Sequence, residues 1–270
     1  MIAQGNAIKD YHACRTHVSR GMLADLAIRP RLFEGRYITG TIPGKDPTPA
    51  MKLGTMIHAL ALEGRRIAID PPAEHLTPSG NLSEKKATLA WVKEVEAGGY
   101  VVSDAATTER VERAAEAVKA YLATQKIDPA NGVVERPIFW ERPGGIACRA
   151  LPDLIVNPML CIDLKTTTDI SDKAISSACF GDFAYWLQVS HYLEGIKEIY
   201  GYDAQFVFVF VETQEPFGVR AYRLTEADAD WAKEKRERLI EDLKRRTESG
   251  DWSDPEEGGI CEFKRPGWCK

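Results

Sequence analysis

The stretch that most constrains the fold is LPDLIVNPMLCIDLKTT, residues 151–167. Its two apolar runs flank an Asn-Pro dipeptide, which is typical of turns, so the pattern predicts two short adjacent strands. Because side chains two apart on a strand point to the same face, Asp163 and Lys165 should share one face. The apolar residues between and beside them should take the other face. Asp153, on the first strand, would then converge on Asp163.

Two carboxylates and a lysine in this arrangement have a specific chemical use. Converging carboxylates repel each other, and a divalent metal is the usual resolution. A lysine beside the metal can orient or deprotonate a water, which is the set of groups needed for metal-assisted phosphodiester hydrolysis. The alternative is that each aspartate only caps a turn or pairs with an arginine such as Arg149. Asp163 sits in an apolar run, where an unpaired charge is costly, and this favours the metal site.

The helix that follows adds polar groups to the same region. In FAYWLQVSHYLEGI, Gln188 and Tyr192 are four residues apart and share a helix face, and Tyr185 can join that stripe. A glutamine amide and a tyrosine hydroxyl can orient a phosphate, a water or the lysine. An ordinary amphipathic helix explains the apolar residues but not these two facing the sheet. His191 lies on another flank and is expected to be a surface or core histidine.

Two further side chains are candidate metal ligands with open alternatives. His58 lies in the helical segment GTMIHALALEG, where a histidine is commonly a core residue but imidazole also binds Mn²⁺ and tolerates Mg²⁺. Gly54, one turn earlier, would let another backbone approach closely. Glu135 belongs to a strand expected to pair with the strand of Asp153. It is either a further metal-side acid or the partner of a nearby arginine.

The net charge of −5 argues against a wholly basic nucleic-acid-binding surface but not against a DNA enzyme, since binding depends on where positive charge lies. An N-terminal arginine run with few acids favours phosphate contact. A late helix, residues 225–249, interleaves acids with bases and is expected to be solvated and crossed by ion pairs. The candidate DNA-binding residues are Arg149 and four arginines of the N-terminal run, namely Arg15, Arg20, Arg29 and Arg31. Arg36 belongs to that N-terminal run as well.

The six cysteines include no CxxC pair, and Cys148 and Cys161 lie in apolar strands. Buried free thiols in a reducing compartment are therefore expected. No apolar run approaches the roughly 18 residues of a membrane span, and the N-terminus lacks the apolar core of a signal peptide. We therefore expect a cytoplasmic protein.

The chain is expected to form one α/β domain over residues 1–270, because it shows neither a repeat nor a clear linker. Its parts would be a mainly helical segment, the catalytic sheet and helix, and a C-terminal helix and tail, at 1–130, 131–224 and 225–270. Helices are predicted over 19–28, 50–63, 84–97, 104–125, 171–200 and 225–249. Strands are predicted over 67–69, 100–102, 205–212 and 217–224, with a hairpin turning at Gly144-Gly145; residues 73–83 read as an irregular loop.

In order along the chain, these motifs resemble the RecB-like branch of the PD-(D/E)XK nuclease superfamily. The match consists of His58, Pro152-Asp153, Asp163-Leu164-Lys165, and Gln188 with Tyr192 spaced as QxxxY. Within that branch the chain is most similar to the RecE-type exonuclease domain of phages and prophages. Further segments carry this likeness, namely YHACRTHVSRGMLADLAIRPRLF, LGTMIHALALEG and GIACRALPDLI. The DxK alone is a weak signal, whereas the ordered set is a strong one.

The resemblance implies a restriction-endonuclease-like core, a central mixed β-sheet flanked by helices. It implies 5′→3′ degradation of linear double-stranded DNA with Mg²⁺, or Mn²⁺, held by Asp153, Asp163, the Leu164 carbonyl and His58. It also implies a ring-shaped homo-oligomer and a single-strand annealing recombination protein as partner. An iron–sulfur cluster, which some related nucleases hold with one early and three late cysteines, is not expected, because only Cys261 and Cys269 lie late.

Three alternatives stay open at this point. The first is an endonuclease or a single-strand-specific nuclease of the same fold. The second is a catalytically silent DNA-binding module, and the third is an unrelated hydrolase of small phosphate esters. One departure from the family concerns the segment around Arg149, which often carries more arginine where Ala150-Leu151 stand here.

Overall fold

The structure is a computed structural model and describes residues 4–44, 46–157, 159–255 and 260. Its α-helices are α1 (Gln4–Ala13), α2 (Arg20–Ile28), α3 (Pro30–Phe33), α4 (Pro49–Leu62), α5 (Lys86–Ala97), α6 (Ala105–Thr124), α7 (Asp172–Ser177), α8 (Tyr185–Tyr200) and α9 (Glu226–Ser249). Its strands are β1 (Ala68–Ile69), β2 (Val101–Val102), β3 (Val133–Val134), β4 (Ile138–Arg142), β5 (Ile146–Ala150), β6 (Leu154–Val156), β7 (Leu160–Thr167), β8 (Gln205–Glu212) and β9 (Val219–Tyr222). Short π-helical turns cover Glu34–Ile38 and Ala178–Asp182.

The central feature is a five-stranded mixed sheet in the order β3-β6-β7-β8-β9. Only β7 and β8 run parallel; the other neighbours are antiparallel. The predicted strand pair around Asn157 is confirmed as β6 and β7, with Leu154 opposite Ile162. The predicted hairpin at Gly144-Gly145 is confirmed as β4 and β5, although it forms a separate two-stranded sheet.

Each face of the sheet is covered by helices, so the molecule has three layers. On one face α2, α8, α9 and the β4–β5 hairpin surround a core that includes Cys161, Phe208 and Leu187. On the other face α4 and α6 pack on Ile162 and Leu164. Alternate residues of β7 therefore enter different cores, as the apolar pattern predicts. The predicted mixed sheet flanked by helices is confirmed.

Hydroxyl side chains cap the starts of two helices. Ser19 caps α2 by accepting a hydrogen bond from the Met22 amide, and Thr48 caps α4 in the same way. Gly54 of α4 does mark a close approach, since a Cβ there would lie 3.2 Å from Thr166 Oγ1 of β7. The approaching group is a side chain, however, rather than the backbone that we expected.

Four of the predicted free thiols are confirmed, at Cys14, Cys148, Cys161 and Cys179, and the last three are buried. Cys261 and Cys269 lie outside the described residues. Within the described ranges no helix is both long and apolar enough to cross a membrane.

Gly195 allows helix α8 to pack close to the β4–β5 hairpin, because it has no side chain. A Cβ at this position would lie 2.6 Å from Trp140 Cζ3 and 2.9 Å from Ile138 Cδ1. We expect Gly195→Ala to lower the free energy of unfolding by about 1–3 kcal/mol, because the two buried side chains must shift. Gly21→Ala is the control, since its Cβ meets nothing closer than 3.8 Å. Urea denaturation measures both, and equal effects of the two changes would contradict this packing role.

Candidate active site

The candidate site lies where β7 passes beneath the start of α8. Asp163 is almost fully buried, at 1% exposure, and its carboxylate forms an ion pair with Lys165. The Gln188 amide of α8 donates a hydrogen bond to the other carboxylate oxygen of Asp163. The structure therefore brings together the DxK pair and the glutamine that the sequence predicted to meet.

Asp153 joins this group from the bend that precedes β6. We expected Asp153 to lie on the strand itself, but β6 begins one residue later, at Leu154. Its Oδ2 accepts a hydrogen bond from the Leu164 amide at 2.8 Å. This bond ties the first predicted acid to the middle residue of the DxK motif.

His58 reaches the same point from α4, on the opposite face of the sheet. Its Nε2 lies 2.7 Å from the Leu164 carbonyl oxygen, and its Nδ1 lies 3.4 Å from Asp153 Oδ2. The side chain keeps 20% of its surface exposed. Of the two alternatives for His58, the structure thus favours a place beside Asp153 and Asp163 over the interior of the α4–α6 core. We call His58, Asp153, Asp163 and Lys165 the acidic cluster.

Burial and crowding perturb the titration of this cluster. Burial raises the pKa of Asp153 well above its usual range, and the neighbouring charge of Asp163 raises it further. Burial lowers the pKa of His58, and the Lys165 charge acts in the same direction. Strongly perturbed groups that converge in this way are typical of functional sites.

Glu135 lies beside Asp153 at the edge of the sheet, one residue beyond β3. Its amide donates a hydrogen bond to the Asp153 carbonyl at 3.0 Å. Burial raises the pKa of Glu135, and the charges of Glu63 and Asp153 add to this effect. Its backbone is left-handed, with φ 43°, which is uncommon for glutamate.

The two tyrosines of α8 occupy different environments. The Tyr185 ring lies under the Lys165 ammonium, with 4.9 Å between Nζ and the ring centroid. Tyr192 is buried, and burial raises the pKa of its hydroxyl well above the usual range; Asp163 adds to this. In the described part of the chain no hydrogen bond joins Tyr192 to Lys165 or Gln188. Tyr185, which the sequence marks only by its three-residue spacing from Gln188, is the closer neighbour of the lysine.

The candidate DNA-binding arginines divide into two sets. Arg29 donates to Asp254 at 2.6 and 2.8 Å, and Arg31 pairs with Glu34 at 3.3 Å. The sequence suggested that this run has few acidic partners, but Asp254 lies 225 residues from Arg29 in sequence and could not be anticipated. Arg36 likewise pairs with Asp25 at 2.7 Å.

Arg20, Arg149 and Arg15 form the second set. Arg20 begins α2 and donates to the Phe183 carbonyl, just before α8. Arg149 is buried on β5 with its guanidinium 4.7 Å from the centre of the Tyr11 ring. Its Nε and Nη1 are buried without a hydrogen-bond partner in the described residues. Arg15 is exposed.

His191 is a core histidine, as one of our two expectations had it. The side chain is fully buried, and its Nε2 lies 3.1 Å from the Arg149 carbonyl. Burial, together with the charge of Arg236, lowers the pKa of His191 to about 3.

This shift predicts a pH-dependent stability. The unfolded chain binds a proton at His191 below its ordinary pKa of 6.5, whereas the folded chain does not until about pH 3. The stabilising contribution is therefore complete above pH 6.5 and is lost as the pH falls towards 3. We expect a loss of about 2 kcal/mol between pH 8 and pH 5 from this residue. His191→Gln should remove that part of the slope in urea denaturation, and an unchanged slope would contradict the assignment.

The donor atoms of the cluster fit a divalent cation in their chemistry. Within the described residues, no three His, Cys, Asp or Glu side chains are grouped to hold a metal ion. The Asp163 carboxylate contacts Lys165 and Gln188 instead. Carboxylate and carbonyl oxygens nevertheless suit Mg²⁺ or Mn²⁺, and imidazole is tolerated. A positive charge here would also offset the repulsion that raises the pKa of Asp153.

Comparison with known families decides the relationship. The model of a "PDDEXK-like domain of unknown function (DUF3799)" matches residues 37–266, which is most of the chain. The chain belongs to this PDDEXK-like family. Membership confirms the resemblance to the PD-(D/E)XK superfamily and the restriction-endonuclease-like core. No curated protein sequence matches the chain significantly.

One solved structure shares the fold of this PDDEXK-like protein, and a second resembles it only loosely. A "Putative exonuclease" from Eubacterium rectale superposes with a TM-score of 0.63 and 14% identity, covering 98% of this chain and 96% of that one. A phage-related exonuclease from Haemophilus somnus 129PT is 16% identical and covers 72% of this chain and 95% of its own, with a TM-score of 0.33. The second superposition is too loose to carry an argument, and the first shows the fold alone.

Proposed function

We propose that this protein is a Mg²⁺-dependent deoxyribonuclease that degrades linear double-stranded DNA from the 5′ end and releases 5′-phosphorylated products. The observation that carries the proposal is the ion pair of the buried Asp163 with Lys165, fixed by Gln188 and placed beside Asp153. Family membership supports a nuclease of the PD-(D/E)XK type. The motif resemblance, together with the exonuclease name of the Eubacterium rectale neighbour, supports action at DNA ends.

Four groups of the chain would hold the metal ion. These are the carboxylates of Asp153 and Asp163, the Leu164 carbonyl and the His58 imidazole, with Glu135 as a further acid at the edge. When bound, the ion supplies Lewis-acid activation of the scissile phosphate and stabilisation of the leaving oxygen. Mn²⁺ suits the same donors.

The remaining groups position the reactants. The Lys165 ammonium, held between the Asp163 carboxylate and the Tyr185 ring, positions the attacking water and offsets negative charge on the phosphate. Gln188 fixes Asp163, so it acts by holding the DxK pair in place. Tyr192, which packs on Phe206 below the site, would support this arrangement by packing alone.

The DNA backbone would reach the site over Arg15, Arg20 and Arg149. Arg149 would contribute mainly its positive charge, because the guanidinium is almost fully buried and its Nε and Nη1 are closed to solvent. Arg29 and Arg31 would contribute less, since acids already hold them.

The wider setting follows from the resemblance. We propose that the protein acts in DNA recombination or end processing in the bacterial cytoplasm, as a ring-shaped homo-oligomer beside a single-strand annealing protein. The whole of residues 1–270 would form its one domain.

A digestion with three DNA substrates tests the end requirement and the polarity. Linear duplex labelled at the 5′ end, linear duplex labelled at the 3′ end and closed circular duplex are incubated with Mg²⁺. We expect immediate release of the 5′ label as mononucleotide, late release of the 3′ label, and an intact circle. Nicking of the circle would instead favour an endonuclease of the same fold. Binding to all three without cleavage would favour a silent DNA-binding module.

A further inference from the structure

An aromatic column runs from Lys165 to the solvent. The Tyr185 ring, which contacts the Lys165 ammonium on one side, stacks on Phe183 with 5.5 Å between centroids and 14° between planes. The ring of Phe208 supports Tyr185 from the sheet, with centroids 5.5 Å apart. Phe183 ends the column and is 57% exposed. One face of its ring is therefore covered, and the other is open.

The backbone around Phe183 is irregular and held in place. A π-helical turn, Ala178–Asp182, precedes it, and Ala184 after it is left-handed, with φ 46° and ψ 49°. π-helical turns are rare, and a non-glycine residue in the left-handed conformation is strained. Arg20 donates to the Phe183 carbonyl at 3.3 Å. The ring is thus presented by a fixed segment beside a cation.

We propose that Phe183 is a base-stacking residue, which receives on its open face a nucleobase adjacent to the scissile phosphate. The inference rests on the proposed function, because it needs a phosphodiester at Lys165. A single exposed phenylalanine needs no explanation by itself. Here, however, the open face continues a stack that begins at the catalytic lysine, and the neighbouring guanidinium suits the phosphate of the same nucleotide.

The stack has a consequence for substrate choice. Every base offers a flat π-face, so stacking would hold the nucleotide without reading its sequence. A nucleotide fixed through its base would keep its phosphate in register with Lys165 between cleavage events. The residue would thus favour DNA with bases over a bare sugar–phosphate strand.

The test combines changes at Phe183 with the removal of single bases from the DNA. Wild type, Phe183→Leu and Phe183→Tyr digest linear duplex that is intact or that carries one abasic site, either in the 5′-terminal nucleotide or in the next. We expect Phe183→Leu to lower kcat/KM on intact duplex by roughly 5- to 100-fold. Phe183→Tyr should restore it. An abasic site at one of the two positions should lower kcat/KM of the wild type by a similar factor. The same abasic site should not lower kcat/KM of Phe183→Leu any further.

Phe180→Leu is the matched control. Phe180 is 44% exposed on the preceding π-helical turn, but its ring packs near Trp231, with centroids 6.0 Å apart. The Phe180→Leu protein should cleave each of the three substrates at the wild-type rate. If wild type and Phe183→Leu discriminate equally against both abasic substrates, the stacking role is wrong while the proposed function stands. A wild-type protein that leaves intact duplex uncut overturns both.

Discussion

Lys165→Met should lower kcat/KM for linear duplex by about 10²–10⁴-fold. Methionine keeps much of the apolar stem but removes the ammonium that pairs with Asp163 and faces the Tyr185 ring. The attacking water and the phosphate then lose their cationic neighbour. Release of acid-soluble nucleotides in the presence of Mg²⁺ measures the effect.

Two controls separate lost chemistry from lost folding. Removing the ammonium leaves the Asp163 carboxylate buried without its ion pair, which is itself costly. The double variant Asp163→Asn/Lys165→Met removes both charges, so it should remain folded by circular dichroism and still be inactive. Lys119→Met, which changes an exposed lysine of α6, should cleave normally. Cleavage by Lys165→Met at the wild-type rate would contradict the assignment.

Arg236→Met should lower the free energy of unfolding by about 3 kcal/mol or more. Arg236 is 2% exposed and donates to the Ser190 carbonyl at 2.6 Å and to Glu194 at 3.0 Å. It also pairs with Glu237. Methionine fills much of the space, so the expected loss comes from the buried carbonyl and carboxylates that lose a donor.

Arg238 provides the comparison on the same helix. It pairs with Glu234, and both side chains are 63% exposed. Arg238→Met should therefore change the free energy of unfolding by no more than about 0.5 kcal/mol in urea denaturation. Equal losses for Arg236→Met and Arg238→Met would show that burial of the first ion pair contributes nothing.

The contrast between these two arginines shows where sequence reasoning stops. Interleaved charges along residues 225–249 correctly predict a helix with ion pairs such as Arg245 with Asp242. They do not reveal that Arg236 faces α8, because charge spacing within one helix contains no information about the helix that packs against it. The same limit hides the pairing of Arg29 with Asp254.

The arrangement of the candidate active site was predictable for a different reason. The two-residue period of a strand places Asp163 and Lys165 on one face, and the α8 spacing brings Gln188 to the same face. His58 was ambiguous, because helix periodicity does not say that α4 lies over Leu164. Phe183 was not predicted, since its position depends on a π-helical turn and on the left-handed Ala184. The roles of these residues and the single domain remain predictions.

The most direct test of the central claim is the initial rate of nucleotide release from linear duplex DNA, with Mg²⁺ and with a chelator in its place. Wild type and Asp163→Asn are compared at equal concentration, after both are shown to be folded. The proposed site predicts rapid release by the wild type with Mg²⁺, no release with the chelator, and a rate at least about 10²-fold lower for Asp163→Asn. Equal release by wild type and Asp163→Asn, or release that persists in the chelator, would contradict the account.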